Sequence, residues 1–125
     1  METLRGLLDE IVVEAERKVE QELSGPAGAI KALFYNLLMP LVLNFQTETE
    51  CYHFHFLRGG SISLQPGLHE DPDVIVRGEH AEILYLLRNR DAARFKHDEQ
   101  TGKIRIIPRS FRGSQAVMKL RDLFL

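Results

Sequence analysis

The chain has 125 residues, 44% of them apolar and 27% charged, with a formal net charge of −2. That length suffices for one core, and a near-neutral total supplies no global attraction to nucleic acid. The single cysteine, Cys51, excludes an internal disulfide and fits a reducing compartment.

The charge is unevenly spread. Residues 1–50 carry four basic and nine acidic side chains, and residues 51–125 carry twelve and nine. One acidic surface helix accounts for the split more economically than a dedicated partner surface. No basic leader followed by a long apolar run opens the chain. The apolar stretch Leu37–Leu43 is broken by Pro40 and is too short to span a bilayer. The final residues, Leu123-Phe124-Leu125, do not form a peroxisomal address. A cytoplasmic protein of a single domain, 1–125, is expected.

Two helices are predicted over residues 2–40. In the first, residues 2–23, Leu4, Leu7, Leu8, Ile11, Val12, Ala15, Val19 and Leu23 recur at helical spacing opposite a charged face. Ser24-Gly25-Pro26 breaks it and starts the second, whose face is Ile30, Leu33, Phe34, Leu37 and Leu38. Pro40 stops that helix because it lacks the N–H the ladder needs.

Three strand signals follow, at Leu41–Thr47, Cys51–Leu57 and Ser61–Gln65, with turn residues Gly59-Gly60 and Pro66-Gly67. Tyr52, Phe54 and Phe56 alternate with Cys51, His53 and His55. This meander therefore has one apolar face and one face open to water or to another chain. A polar loop holding His69, Glu70, Asp71 and Asp73 leads to the strand at Val74 and Val76. A tight turn is expected at Gly78, then a helix through Ile83, Leu84 and Leu87. A short helix is expected among residues 89–102. Gly102 turns into a fifth strand with Ile104 and Ile106 inward, closed by Pro108. Residues 109–113 read as a loop and Ser114 as the cap of a last helix carrying Ala116, Val117, Leu120, Leu123 and Phe124.

Little of this carries reaction chemistry. Cys51, His53 and His55 share one strand face, but successive same-face residues lie about 6–7 Å apart, too wide for three bonds to one tetrahedral ion without bending. No glycine elbow surrounds Cys51 to make it a nucleophile. The acidic loop near His69 reads as solvated. No catalytic residue, metal or cofactor is expected. The basic side chains of the last quarter, among them Lys103, Arg105, Arg109 and Arg112, suit anionic groups. Phe34, Leu38, Phe45, Phe54, Phe56, Leu84, Leu87, Val117 and Leu120 form the apolar set placed between helices and sheet.

From about residue 43 onward the order of motifs resembles the sterol carrier protein (sterol-binding domain) family. The resemblance rests on Phe54-His55-Phe56, Gly60-Ser61-Ile62-Ser63-Leu64 and Asp73-Val74-Ile75-Val76-Arg77-Gly78. It continues in Tyr85-Leu86-Leu87, Thr101-Gly102-Lys103-Ile104-Arg105-Ile106 and Leu120-Arg121-Asp122-Leu123-Phe124. One departure is Pro108-Arg109-Ser110-Phe111-Arg112, where the family usually places a glycine with a small polar or acidic residue. The resemblance implies an α+β fold: a five-stranded mixed, mainly antiparallel sheet covered on one face by helices, with residues 41–125 supplying sheet and covering helices. It also implies non-enzymatic binding or carriage of a fatty acyl chain, acyl-CoA or isoprenoid- or sterol-like lipid in an apolar cavity between helices and sheet. The apolar set would then hold the tail, and Arg109 and Arg112 would contact an anionic head. The partners expected are a hydrophobic small molecule or lipid, a second copy of the chain as a homodimer, and a transient membrane contact; no nucleic acid is expected. The competing expectation is an interaction or dimerisation module whose core is filled.

Overall fold

A computed structural model describes residues 3–25, 28 and 37–124, with side chains through Met118. The second predicted helix falls largely outside the described residues, and Phe34 with it.

Helix α1 spans Leu4–Ser24, where its apolar stripe predicts a helix, and Thr3 caps it by accepting a hydrogen bond from the Gly6 N–H (3.0 Å). Strands β1 (Leu41–Gln46) and β2 (Cys51–Phe56) form an antiparallel hairpin. The Thr47 hydroxyl closes its turn by accepting from the Glu50 N–H at 3.0 Å. Strand β3 (Ile62–Pro66) follows through Gly59 and Gly60, both with positive φ, which suits glycine. Strand β4 (Val74–Gly78) leads to helices α2 (His80–Asn89) and α3 (Ala92–Thr101), then strand β5 (Ile104–Pro108) and helix α4 (Phe111–Phe124).

The sheet order is β3-β2-β1-β4-β5. Only β1 and β4 pair in parallel, with Leu43 opposite Val74 and Phe45 opposite Val76; the other pairs are antiparallel. The α+β sheet read from the sequence is therefore present. The two helices between β4 and β5 join antiparallel neighbours, and the parallel crossover lies between β3 and β4. Its connection, residues 67–73, runs from Gly67, bonded to the Cys51 carbonyl, to Asp73, bonded to the Val42 carbonyl. It thus straps diagonally across the face left uncovered by the described helices. Asn44 holds it midway, its amide bonding the His69 carbonyl (3.0 Å) and N–H (2.9 Å). Asn44 and Ile75 are buried although they point away from the helices.

Two local expectations are corrected. Gly78 makes no turn: it pairs with Ile104 as the last residue of β4. It is glycine because a Cβ there would meet Ile83 Cδ1 at 2.8 Å and Ile104 Cγ1 at 3.0 Å. Residues 111–113 belong to α4, whose cap is Ser110 rather than Ser114: the Ser110 hydroxyl accepts from the Gly113 N–H (2.9 Å) and donates to Asp73 (2.7 Å). The other Asp73 oxygen accepts from the Val42 N–H (2.9 Å). Asp73 therefore ties β1, β4 and the start of α4 together.

Candidate functional site

The face covered by helices does not close completely. Among the described residues, thirteen side chains, all apolar, line a cavity of about 90 Å³. Alternation supplies the sheet side: Leu43 and Phe45 from β1, Phe54 from β2, Val74 and Val76 from β4, Ile104 and Ile106 from β5. Helical spacing supplies the roof: Leu8 of α1, Ile83, Leu86 and Leu87 of α2, Phe95 of α3 and Val117 of α4.

The depth of the cavity is graded. Leu8, Leu43, Phe54, Val74, Ile83, Leu86 and Ile104 are buried, whereas Phe45, Val76, Ile106, Leu87, Phe95 and Val117 keep partial exposure. Phe45, Val76 and Ile106 are register partners across three adjacent strands. They form a row nearer the C-terminal ends of β1 and β4 than the buried pair Leu43 and Val74. Facing Leu87, Phe95 and Val117, this row marks the open side. A cavity with no polar lining stays dry, and roughly 150 Å³ is enough to take a benzene ring. The space as it stands fits a short apolar segment, and a long chain enters only as these walls part.

The expected tail-holding residues divide. Phe45, Phe54, Leu87 and Val117 line the cavity. Phe56 lines a separate narrow cleft with Val19, Met39 and Ile62. Leu38 is buried in the core and Leu84 packs half-buried against it, neither in the cavity wall. Phe34 and the Leu120 side chain lie outside the described residues. Arg109 and Arg112 are exposed at the start of α4; neither lines the cavity, and Arg112 Nη1 donates to the Pro40 carbonyl at 2.7 Å. Phe95 was the liner hardest to anticipate, its only signal being one aromatic in a polar stretch.

Solved structures share this fold. A ubiquinone synthesis protein, UbiJ-SCP2, matches with a TM-score of 0.55 and 16% identity over 94% of this chain and 98% of that one. Sterol carrier protein 2 like 2 from Aedes aegypti matches at 0.53 and 17% identity, over 96% and 98%. The palmitated form of that mosquito protein matches at 0.58 and 16%, over 98% and 95%. This is the sterol carrier protein 2 fold. No family model and no curated protein sequence matches the chain, so the likeness is one of shape.

In this sterol-carrier fold the charged groups stand outside the cavity lining. Glu82 and Asp98 are both buried, at 7% and 2% exposure, between α2 and α3. Arg94 binds Glu82 through Nε (2.5 Å) and Nη2 (2.8 Å) and lies over the Tyr85 ring at 3.9 Å. That guanidinium, and then a hydrogen bond from Asp98, hold the Glu82 carboxyl down at about 2. Burial, then the bond to Glu82, push the Asp98 carboxyl up from its ordinary value. Its Oδ2 has no partner among the described residues.

On the strapped face, His53, His55 and His69 form a triangle with ring centroids 5.1, 5.5 and 5.8 Å apart. The Gly67 carbonyl accepts from His53 Nδ1 (3.0 Å), and His69 Nδ1 accepts from the Asp71 N–H (3.1 Å). Burial, then the two neighbouring imidazoles, lower the His55 pKa. Among the described residues no three histidine, cysteine or acidic side chains are arranged to hold a metal ion. Cys51 is free and exposed. No described helix is long and apolar enough to cross a membrane.

Proposed function

We propose that this chain binds or carries a hydrophobic small molecule without chemically altering it. The observation that carries this reading is the wholly apolar cavity between helices and sheet, open along the Phe45–Val76–Ile106 row. The palmitated structure on the same fold adds support. The ligand class is a fatty acyl chain, acyl-CoA, or an isoprenoid- or sterol-like lipid. Each methylene moved from water into the cavity contributes about 0.8 kcal/mol. A wall without donors or acceptors selects for apolar length rather than for a particular head. Phe45, Phe54, Leu87 and Val117 hold the tail, and Arg109 and Arg112 meet an anionic head at the outer surface.

Titration with a fluorescent fatty acid tests the reading. Saturable binding at micromolar ligand is expected for the unaltered chain. Val76→Phe fills the mouth and should abolish binding at a stability cost of about 1–3 kcal/mol, which a melting curve measures. No saturable binding, or equal binding by a folded Val76→Phe variant, would sink it.

A further inference from the structure

β1 and β4 run in parallel side by side and then part. After β1 the chain turns back to β2 on one side; after β4 it passes through α2 and α3 to β5 on the other. In open sheets, such divergence beyond the carboxyl ends of parallel strands leaves a crevice that suits ligands. Here it is an open groove of about 430 Å³, lined by Gln46, Thr47 and Glu48 after β1, Arg77, Gly78 and Glu79 at the end of β4, and Gly102, Lys103 and Arg105 at the start of β5.

Arg77 and Arg105 are register partners across β4 and β5. Like charges directly opposite one another destabilise a sheet. Among the described residues, neither makes an ion pair or a side-chain hydrogen bond. Lys103, in the turn just before β5, lines the same groove and adds a third cation, its charge also felt by Glu82 and Asp98. Glu48 does not answer the arginines: its carboxylate accepts from the His80 N–H at the start of α2 (2.5 Å). Glu79 is exposed. Charges on an edge strand guard it against pairing with other chains, and that explains Arg105 on β5. It does not explain Arg77, which lies on an inner strand.

We propose that Arg77 and Arg105, with Lys103, form a binding site for a phosphate or diphosphate ester in this groove. Two planar guanidiniums carried by register partners in one groove can offer paired donors to an oxyanion set between them, and such an anion turns the repulsion of the pair into attraction. The ester is either the head of a phosphorylated lipid or a soluble molecule. The site does not rest on the lipid reading. Arg77 and Arg105 alternate with Val76, Ile104 and Ile106, so they face away from the apolar cavity.

Calorimetric titration with inorganic pyrophosphate at low ionic strength tests the site, alongside flotation with phosphatidylcholine vesicles with and without phosphatidic acid. The unaltered chain should bind pyrophosphate saturably, with an affinity that falls as salt is raised. Arg77→Gln or Arg105→Gln should each weaken it by about tenfold or more, and the double variant should abolish it. The ligand-free double variant should melt no lower than the unaltered chain. Flotation that needs phosphatidic acid and is lost in the double variant assigns the site to a lipid head. Pyrophosphate binding without such flotation assigns it to a soluble ester. Absence of both, or binding unchanged in the double variant, overturns the proposal. So does a double variant that melts lower and binds as before, because the cations would then be structural.

Discussion

At the scale of single residues, the tightest constraints come from atoms that are missing. A Cβ on Gly113 would overlap the Asp73 carbonyl and press on Val74 Cγ2 at 3.2 Å. Gly113 lets α4 come down onto the start of β4, and Asp73 fastens that contact through Ser110. Gly113→Ala should lower stability by about 1–3 kcal/mol, an overpacking cost; urea denaturation measures it, and an unchanged midpoint would refute it. Neither glycine role was legible in the sequence. Gly78 and Gly113 look like turn glycines because composition records no neighbour, and the neighbours that exclude a side chain, Ile83 and Ile104 for Gly78 and Asp73 and Val74 for Gly113, lie on other elements. The aromatic alternation of β2 was legible, because burial of Tyr52, Phe54 and Phe56 follows from the pleat alone.

At the scale of elements, helices differ in what holds them. α1 is fastened by an apolar stripe and was readable from its period. α3 has almost none. Phe95 is its one large apolar residue, and its buried position is Asp98, held against Glu82 beside Arg94. A helix attached by a buried carboxyl pair and an ion pair leaves little hydrophobic periodicity to find. The start of α4 was misread for a related reason: Phe111 is 82% exposed, so its first turn looks like a loop. The α2–α3 attachment has a definite pH signature. Asp98 has a raised pKa, so its contribution is complete below its ordinary value of 3.8 and is lost as pH rises through the folded value. Glu82 is lowered, so its contribution is complete above its ordinary 4.5 and is lost as pH falls through about 2. Asp98→Asn keeps a donor for Glu82 and removes the first titration. The variant should therefore lose less stability than the unaltered chain as pH is raised from acid toward neutral. Urea midpoints across that range check this, and parallel curves would refute it.

At the scale of the whole molecule, the strands, the helices and the apolar face of the meander were readable from alternation and periodicity, and the one-sided helical cover was implied by the family resemblance. The parallel pairing of β1 with β4 was not, because pairing between strands separated by two others depends on where the strap crosses. The cavity was not readable either: the side chains that line a void are the same kinds that fill a core, and only relative placement tells them apart. If the cavity takes a ligand, binding must show globally. A fatty acid at about 100 times its dissociation constant should raise unfolding stability by about 2.7 kcal/mol, seen as a higher denaturation midpoint. Val76→Phe should remove that shift.

The strap of residues 67–73 has a consequence for self-association. Stacking two sheets face to face needs about 10 Å of clear space filled by interleaved side chains. Here the Asn44-anchored strap already occupies part of that layer. It acts as a built-in spacer that keeps a second sheet at a distance. Among the described residues, the strap therefore works against two copies closing into a β-sandwich through these faces.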